Sequence, residues 1–212
     1  MKTDHLIRAL AADSAAPQPS LRRWIPSGLG IGFAAALMVF AWKVKPRPDF
    51  AEVAAEPRFL LKFAVTLSLT AAAFGLLLRL IRPGLGAGLW AAALLVGPSL
   101  LAIGVTMELV SVPAAAWEAN MVGSSARYCL TTIPLLAAPI LVALFIVLRD
   151  GAPTRPALAG AVAGLVAGAL GAGLYAAHCV DDSPLFVMAW YSLAIALVTA
   201  LGGLAGSRLL RW

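Results

Sequence analysis

ALAGAVAGLVAGALGAGLYAA runs from Ala157 to Ala177 without one charged side chain. About 20 apolar residues, each rising 1.5 Å along a helix, cross the ~30 Å hydrocarbon layer of a bilayer. Within this stretch Gly160, Gly164 and Gly168 recur every fourth residue, and Ala172 and Ala176 continue the row. A row of small residues at that spacing lets two helix backbones approach closely. The spacing predicts tight packing on a neighbour in the same bundle, with homodimerisation through that face as the alternative.

Working outward, five further apolar runs stand at Ile25–Trp42, Phe59–Leu78, Leu85–Met107, Leu130–Leu148 and Leu185–Ala205. The predicted fold is therefore an all-α membrane protein, a bundle of six transmembrane helices over 25–212. A short N-terminal segment, 1–24, precedes it. Composition agrees: 61% of the 212 residues are hydrophobic and 12% charged, against about 25% charged in a soluble domain. Mean hydropathy is +0.91. The net charge of +6 does not point to nucleic acid, because the bases flank apolar runs and no basic cluster is interleaved with aromatics. The first run is too long, and begins too late, for a cleaved signal peptide. Pro98, Pro134 and Pro139 fall inside the third and fourth runs, where they bend a helix or loosen its backbone bonding.

Orientation follows from the loops. With the N-terminus inside, ten Lys and Arg residues (Lys2, Arg8, Arg22, Arg23, Arg79, Arg82, Arg149, Arg155, Arg208, Arg211) face the cytoplasm. Six (Lys43, Lys45, Arg47, Arg58, Lys62, Arg127) face outward. The excess places both termini inside. Trp24, Trp90 and Trp212 fall near inner boundaries, and Trp42, Trp117, Tyr128, Trp190 and Tyr191 near outer ones, where such rings favour the headgroup level.

The N-terminal stretch TDHLIRALAAD reads as a short amphipathic helix. Thr3 is placed as N-cap; Leu6, Ile7 and Leu10 fall on one side, with Asp4, Arg8 and Asp13 elsewhere. About ten residues make a marginal helix in water. Either it lies on the membrane surface as a loose tail, or it docks on a protein partner. Proline-bearing Ala15–Ser20 reads as a linker.

Chemistry is sparse. Glu108, at the outer end of the third run, is read as reaching the interface rather than serving an ion path. No phosphate loop, HExxH, CxxC or nucleophile triad occurs, so neither an enzyme nor a small-molecule substrate is expected. The two cysteines are Cys129, in RYCL, and Cys179, in YAAHCVDDSPLF. Counted from the RDGAPTRP turn, each lies about twenty helical residues outward, roughly 30 Å. Both thus arrive at one outer height, which permits a disulfide without establishing one. A structural disulfide, a redox- or metal-responsive pair and two unlinked packing residues remain open. His178 and Arg127 favour thiolate, while Asp181 and Asp182 oppose it. Cys129, Cys179 and His178, with Met121 adding a thioether, could take a thiophilic metal ion transiently. A small transporter, or transporter accessory, for a metal or thiol compound is the alternative from another class.

These strings, with the pair Glu108–Leu109 followed by Pro113 and Trp117, and with TRPALAGAVAGLVAG, WYSL and terminal RLLRW, resemble the NrsF-type family over essentially the whole chain. Members are negative regulators of sigma F, anti-sigma factors of the bacterial inner membrane. The resemblance implies that the chain sequesters an extracytoplasmic-function sigma factor. It implies that Cys129 and Cys179 are the outer cysteines that respond to oxidative or heavy-metal stress. It makes the N-terminal segment, with Leu6, Ile7, Arg8, Leu10 and Asp13, the candidate sigma-binding element. His178, Asp181 and Asp182 are candidate ligands or tuning groups.

Overall fold

The computed structural model describes residues 3–14, 21–81, 86–151 and 153–210, with side chains 6, 9, 10, 12–14 and 21–23 set aside. Leu85, the Ala15–Ser20 linker and Trp212 lie outside the described residues. The first helix, α1, spans Thr3–Ser14, so Thr3 sits in its first turn rather than before it. Six helices long and apolar enough to cross a membrane follow: α2 (Trp24–Val44), α3 (Pro57–Leu80), α4 (Leu89–Ser111), α5 (Ala126–Arg149), α6 (Pro156–Ala176) and α7 (Pro184–Leu209). They coincide with the six apolar runs to within a few residues. The described residues contain no strand.

Local chemistry sets the ends. The helix α4 starts at Leu89, just after Gly88, which takes a positive φ of 56°. A Cβ there would sit 2.6 Å from Arg79 Nη1. Further along, α4 breaks between Leu89–Ala93 and Val96–Ser111. Pro98 has no N–H to donate to Leu94, and its ring crowds that carbonyl. Pro134 and Pro139, by contrast, lie within an uninterrupted α5. At the far end of α2 the chain widens into a π-helical turn, Phe40–Val44.

The sixth of these elements, α6, is the axis of the bundle, with most of its residues buried. It packs against α7, α3 and α5, while α2 leans on α5 and α4 on α3. The glycine row explains how α6 sits so close to α7. Gly160 faces Gly202 and Gly206, and a Cβ on Gly164 would lie 2.6 Å from the Val198 carbonyl. That face is filled by α7, so it is not open to a second copy. The core forms two apolar clusters. One gathers Ile25, Leu77, Leu148 and Leu210; the other holds Cys129, Cys179, Tyr175, Phe186 and Tyr191.

Candidate sensing site: a buried thiol pair under a charged clamp

The loop 177–183, between α6 and α7, carries the site. Its start is the frayed end of α6, where the His178 and Cys179 N–H groups both donate to Tyr175 O at 2.9 and 3.0 Å. Cys179 is thereby turned back onto the bundle, 1% exposed. Cys129 lies in the first turn of α5, fully buried in the same cluster. Both are free thiols. The Tyr175 and Tyr191 hydroxyls lie beside Cys179 and have no nitrogen or oxygen partner among the described residues. Burial pushes the Cys179 thiol up from its ordinary pKa, and the nearby Lys62 ammonium opposes that shift.

Around the thiols the loop is gripped from several sides. Lys62, of α3, is fully buried. Its Nζ donates to the Cys179 carbonyl at 2.9 Å and pairs with Asp182 Oδ1 at 2.5 Å. Arg47, from the loop after α2, reaches the same carbonyl at 3.3 Å and Asp182 Oδ2 at 2.7 Å. It also holds Asp49 by two bonds of 2.7 Å. That bidentate bond keeps the Asp49 carboxyl below the usual carboxylate range and raises the Arg47 guanidinium. The Phe59 ring lies 5.2 Å from Lys62 Nζ and 5.9 Å from Arg47 Cζ, close enough for cation–π attraction. Two buried cations therefore share one carboxylate and one main-chain carbonyl, that of Cys179.

The rest of the loop is tied as firmly. Asp181 accepts from the Ser124 and Ser125 N–H groups at 3.1 and 2.9 Å, which anchors the connection before α5. Glu108, at the end of α4, is 2% exposed. It accepts from Ser183 Oγ at 2.8 Å, from Leu185 N at 3.2 Å and from Asn120 Nδ2 at 3.0 Å. His178 Nδ1 meets Lys45 O at 2.8 Å, and its ring clusters with those of Tyr128 and Tyr175. Lys45 itself has φ 62° and ψ 151°, a backbone region that is essentially glycine's and costs about 1–3 kcal/mol.

Several sequence expectations change here. Glu108 does not reach the interface; it turns inward to cap α7, because Ser183 and Leu185 offer donors that lipid cannot. Lys62 is no outer loop charge but the buried centre of the clamp. Arg127 is not among the groups that hold the thiol loop, and Met121 is placed by its carbonyl, which accepts from Trp190 Nε1 at 2.9 Å. Among the described residues no group of three or more His, Cys, Asp and Glu is arranged to hold a metal ion. Of the sigma-binding candidates, Ile7 and Arg8 are exposed on α1; the side chains of Leu6, Leu10 and Asp13 lie outside the described residues. Lys62 stands just inside the apolar run 59–78, a position from which a lysine either snorkels outward or pairs within the bundle.

Comparison with known proteins now places this architecture. The family model described as "NrsF: Negative regulator of sigma F" matches residues 10–212. The chain belongs to the NrsF family. It is 38% identical to the anti-sigma-F factor NrsF of Caulobacter vibrioides and 33% identical to the probable anti-sigma-F factor NrsF of Azospira oryzae, in both cases over the full length of both chains. No solved structure matches. The NrsF family is regulatory and not enzymatic, in keeping with a site whose charged groups all hold backbone and one another.

Proposed function

We propose that the chain is an anti-sigma factor of the bacterial inner membrane, with both termini cytoplasmic. It holds an extracytoplasmic-function sigma factor through residues 1–24 and releases it when Cys129 and Cys179 change state on the outer side. The sigma-factor half rests on full-length similarity to the two NrsF relatives. The sensing half is carried by one observation: the main-chain carbonyl of Cys179 is held by Lys62 and Arg47. Oxidation would take two electrons and two protons from the thiols to an external oxidant and join the sulfurs. Any shift of the Cys179 backbone then disturbs a buried cation on α3 and the loop after α2 together. Capture of a thiophilic metal ion by the thiols would pull on the same backbone.

Magnitudes favour this coupling over the bond alone. Moving a partner from ~99% to ~1% bound requires about 5.5 kcal/mol of differential binding. One disulfide typically contributes about 2–4 kcal/mol. Breaking a buried ion pair costs about 3–5 kcal/mol, so displacement of the clamp is a larger lever than the bond's own stability. The test is capture of candidate extracytoplasmic-function sigma factors by the purified chain, reduced and oxidised, with and without residues 1–24. Capture that survives the deletion removes the N-terminal docking role. Equal capture in both redox states, with no effect of Cys129→Ser plus Cys179→Ser, removes the sensing role.

A further inference from the structure

Three helix ends meet near the thiol loop: Pro57 opening α3, Ser111 closing α4 and Pro184 opening α7. Between them runs a groove of about 380 Å³ walled by Leu61, Leu100, Ile103, Gly104 and Met107. Ile103 and Met107 are more than half exposed, so the groove opens sideways. Gly104 keeps it deep, since a Cβ there would run into Leu61. Arg58 stands at its lip. That side chain is half exposed, and its one ion-pair partner among the described residues, Glu108, is 3.9 Å away. On the other side of Arg58 lies a second cavity of about 240 Å³, walled by Asn120, Gly123, Asp181, Asp182 and Ser183.

The order along this surface is apolar, cationic, then acidic. We propose that the groove, Arg58 and the polar cavity together bind one membrane phospholipid with an ethanolamine headgroup. Its acyl chain fills the groove, its phosphate meets Arg58 and its ammonium faces Asp181. Arg presents a planar fork suited to phosphate. Asp182 is already neutralised by Arg47 and Lys62. Asp181 has N–H and hydroxyl donors but no cation within ion-pair distance among the described residues. A headgroup bearing only the phosphate charge leaves that carboxylate without a counter-ion. A fully methylated ammonium cannot donate hydrogen bonds to it. The bound lipid rests against the Glu108–Ser183 contact and so braces the segment that follows Cys179.

This inference rests on the membrane reading of the chain, and the experiment separates the two. The full chain is placed in nanodiscs of equal phosphatidylethanolamine, phosphatidylglycerol and phosphatidylcholine, and retained lipids are read by native mass spectrometry. Phosphatidylethanolamine should be enriched about tenfold over the others, the worth of one hydrogen bond to a charged group. Arg58→Gln, at a half-exposed position, should return the ratio to bulk, as should Asp181→Asn. Excess free phosphoethanolamine, which lacks the chain, should not displace the lipid. Retained lipid of bulk composition (an annular shell only), a preference for phosphatidylglycerol, or enrichment unchanged in Arg58→Gln would each overturn the site. If sigma capture by the same samples is intact, only the lipid site falls. A chain that does not enter nanodiscs overturns both readings.

Discussion

Replacing Asp182 by Asn leaves the geometry of the clamp in place and removes its only shared negative charge. Lys62 is fully buried, and its other hydrogen-bond partner among the described residues is the Cys179 carbonyl; Arg47 retains Asp49. Stranding a buried charge by removing its partner costs about 3–5 kcal/mol, and Lys62 meets that description. Lys62→Met should cost less, about 1–3 kcal/mol: its partner Asp182 is 22% exposed and keeps Arg47, and methionine fills the vacated stem. The double variant is the decisive one. With Lys62 already gone, Asp182→Asn strands nothing that is fully buried, so Lys62→Met plus Asp182→Asn should be more stable than Asp182→Asn alone. That requires a coupling larger than the cost of Lys62→Met alone, toward the upper end of the ~0.5–3 kcal/mol range for residues in contact. The assay is reversible unfolding in mixed micelles, followed by tryptophan fluorescence. Additive losses, or a double variant less stable than Asp182→Asn, would refute the assignment of Lys62 and Asp182 as a mutually neutralising buried pair.

Three further outcomes are expected. Lys45→Gly relieves a backbone conformation that suits only glycine and should stabilise the chain by about 1 kcal/mol; an unchanged or lowered midpoint speaks against strain there. Gly160→Val forces a branched side chain against the α7 backbone and should cost several kcal/mol. Gly30→Ala, with nothing near its Cβ, should gain up to about 1 kcal/mol, so equal effects in the same unfolding assay would contradict the packing of α6 on α7. Because burial raises the Cys179 thiol, thiolate appears only as pH climbs above the ordinary thiol range. Alkylation of Cys179 in a Cys129→Ser background should therefore show a midpoint above that of the denatured chain; a midpoint at or below it would mean that the Lys62 charge outweighs burial.

The sequence carried the architecture because bilayer-length apolar runs and four-residue glycine spacing are local patterns. The two cysteines could also be levelled with each other, since equal helical distances from one turn put them at one height. What escaped was pairing across long separations. Lys62 and Cys179 are 117 positions apart, and Glu108 and Ser183 are 75 apart. A charge near the end of an apolar run looks the same in sequence whether it snorkels outward or turns inward. Nothing local in the chain distinguishes them; the donors that decide the matter sit on another helix. Arg47 was hidden for the same reason, as one of several outer bases around the loop after α2.

The grip of Lys62 and Arg47 on a main-chain carbonyl has a consequence for engineering. Every residue that replaces Cys179 still brings a carbonyl, so on the proposed sensing role the group that feels displacement is separable from the group that reacts. Exchange of the side chain for methionine or histidine then amounts to refitting the detector while leaving its wiring in place. On the sensing role proposed above, a relative could change the chemical it answers to by one codon while keeping the same grip on the backbone.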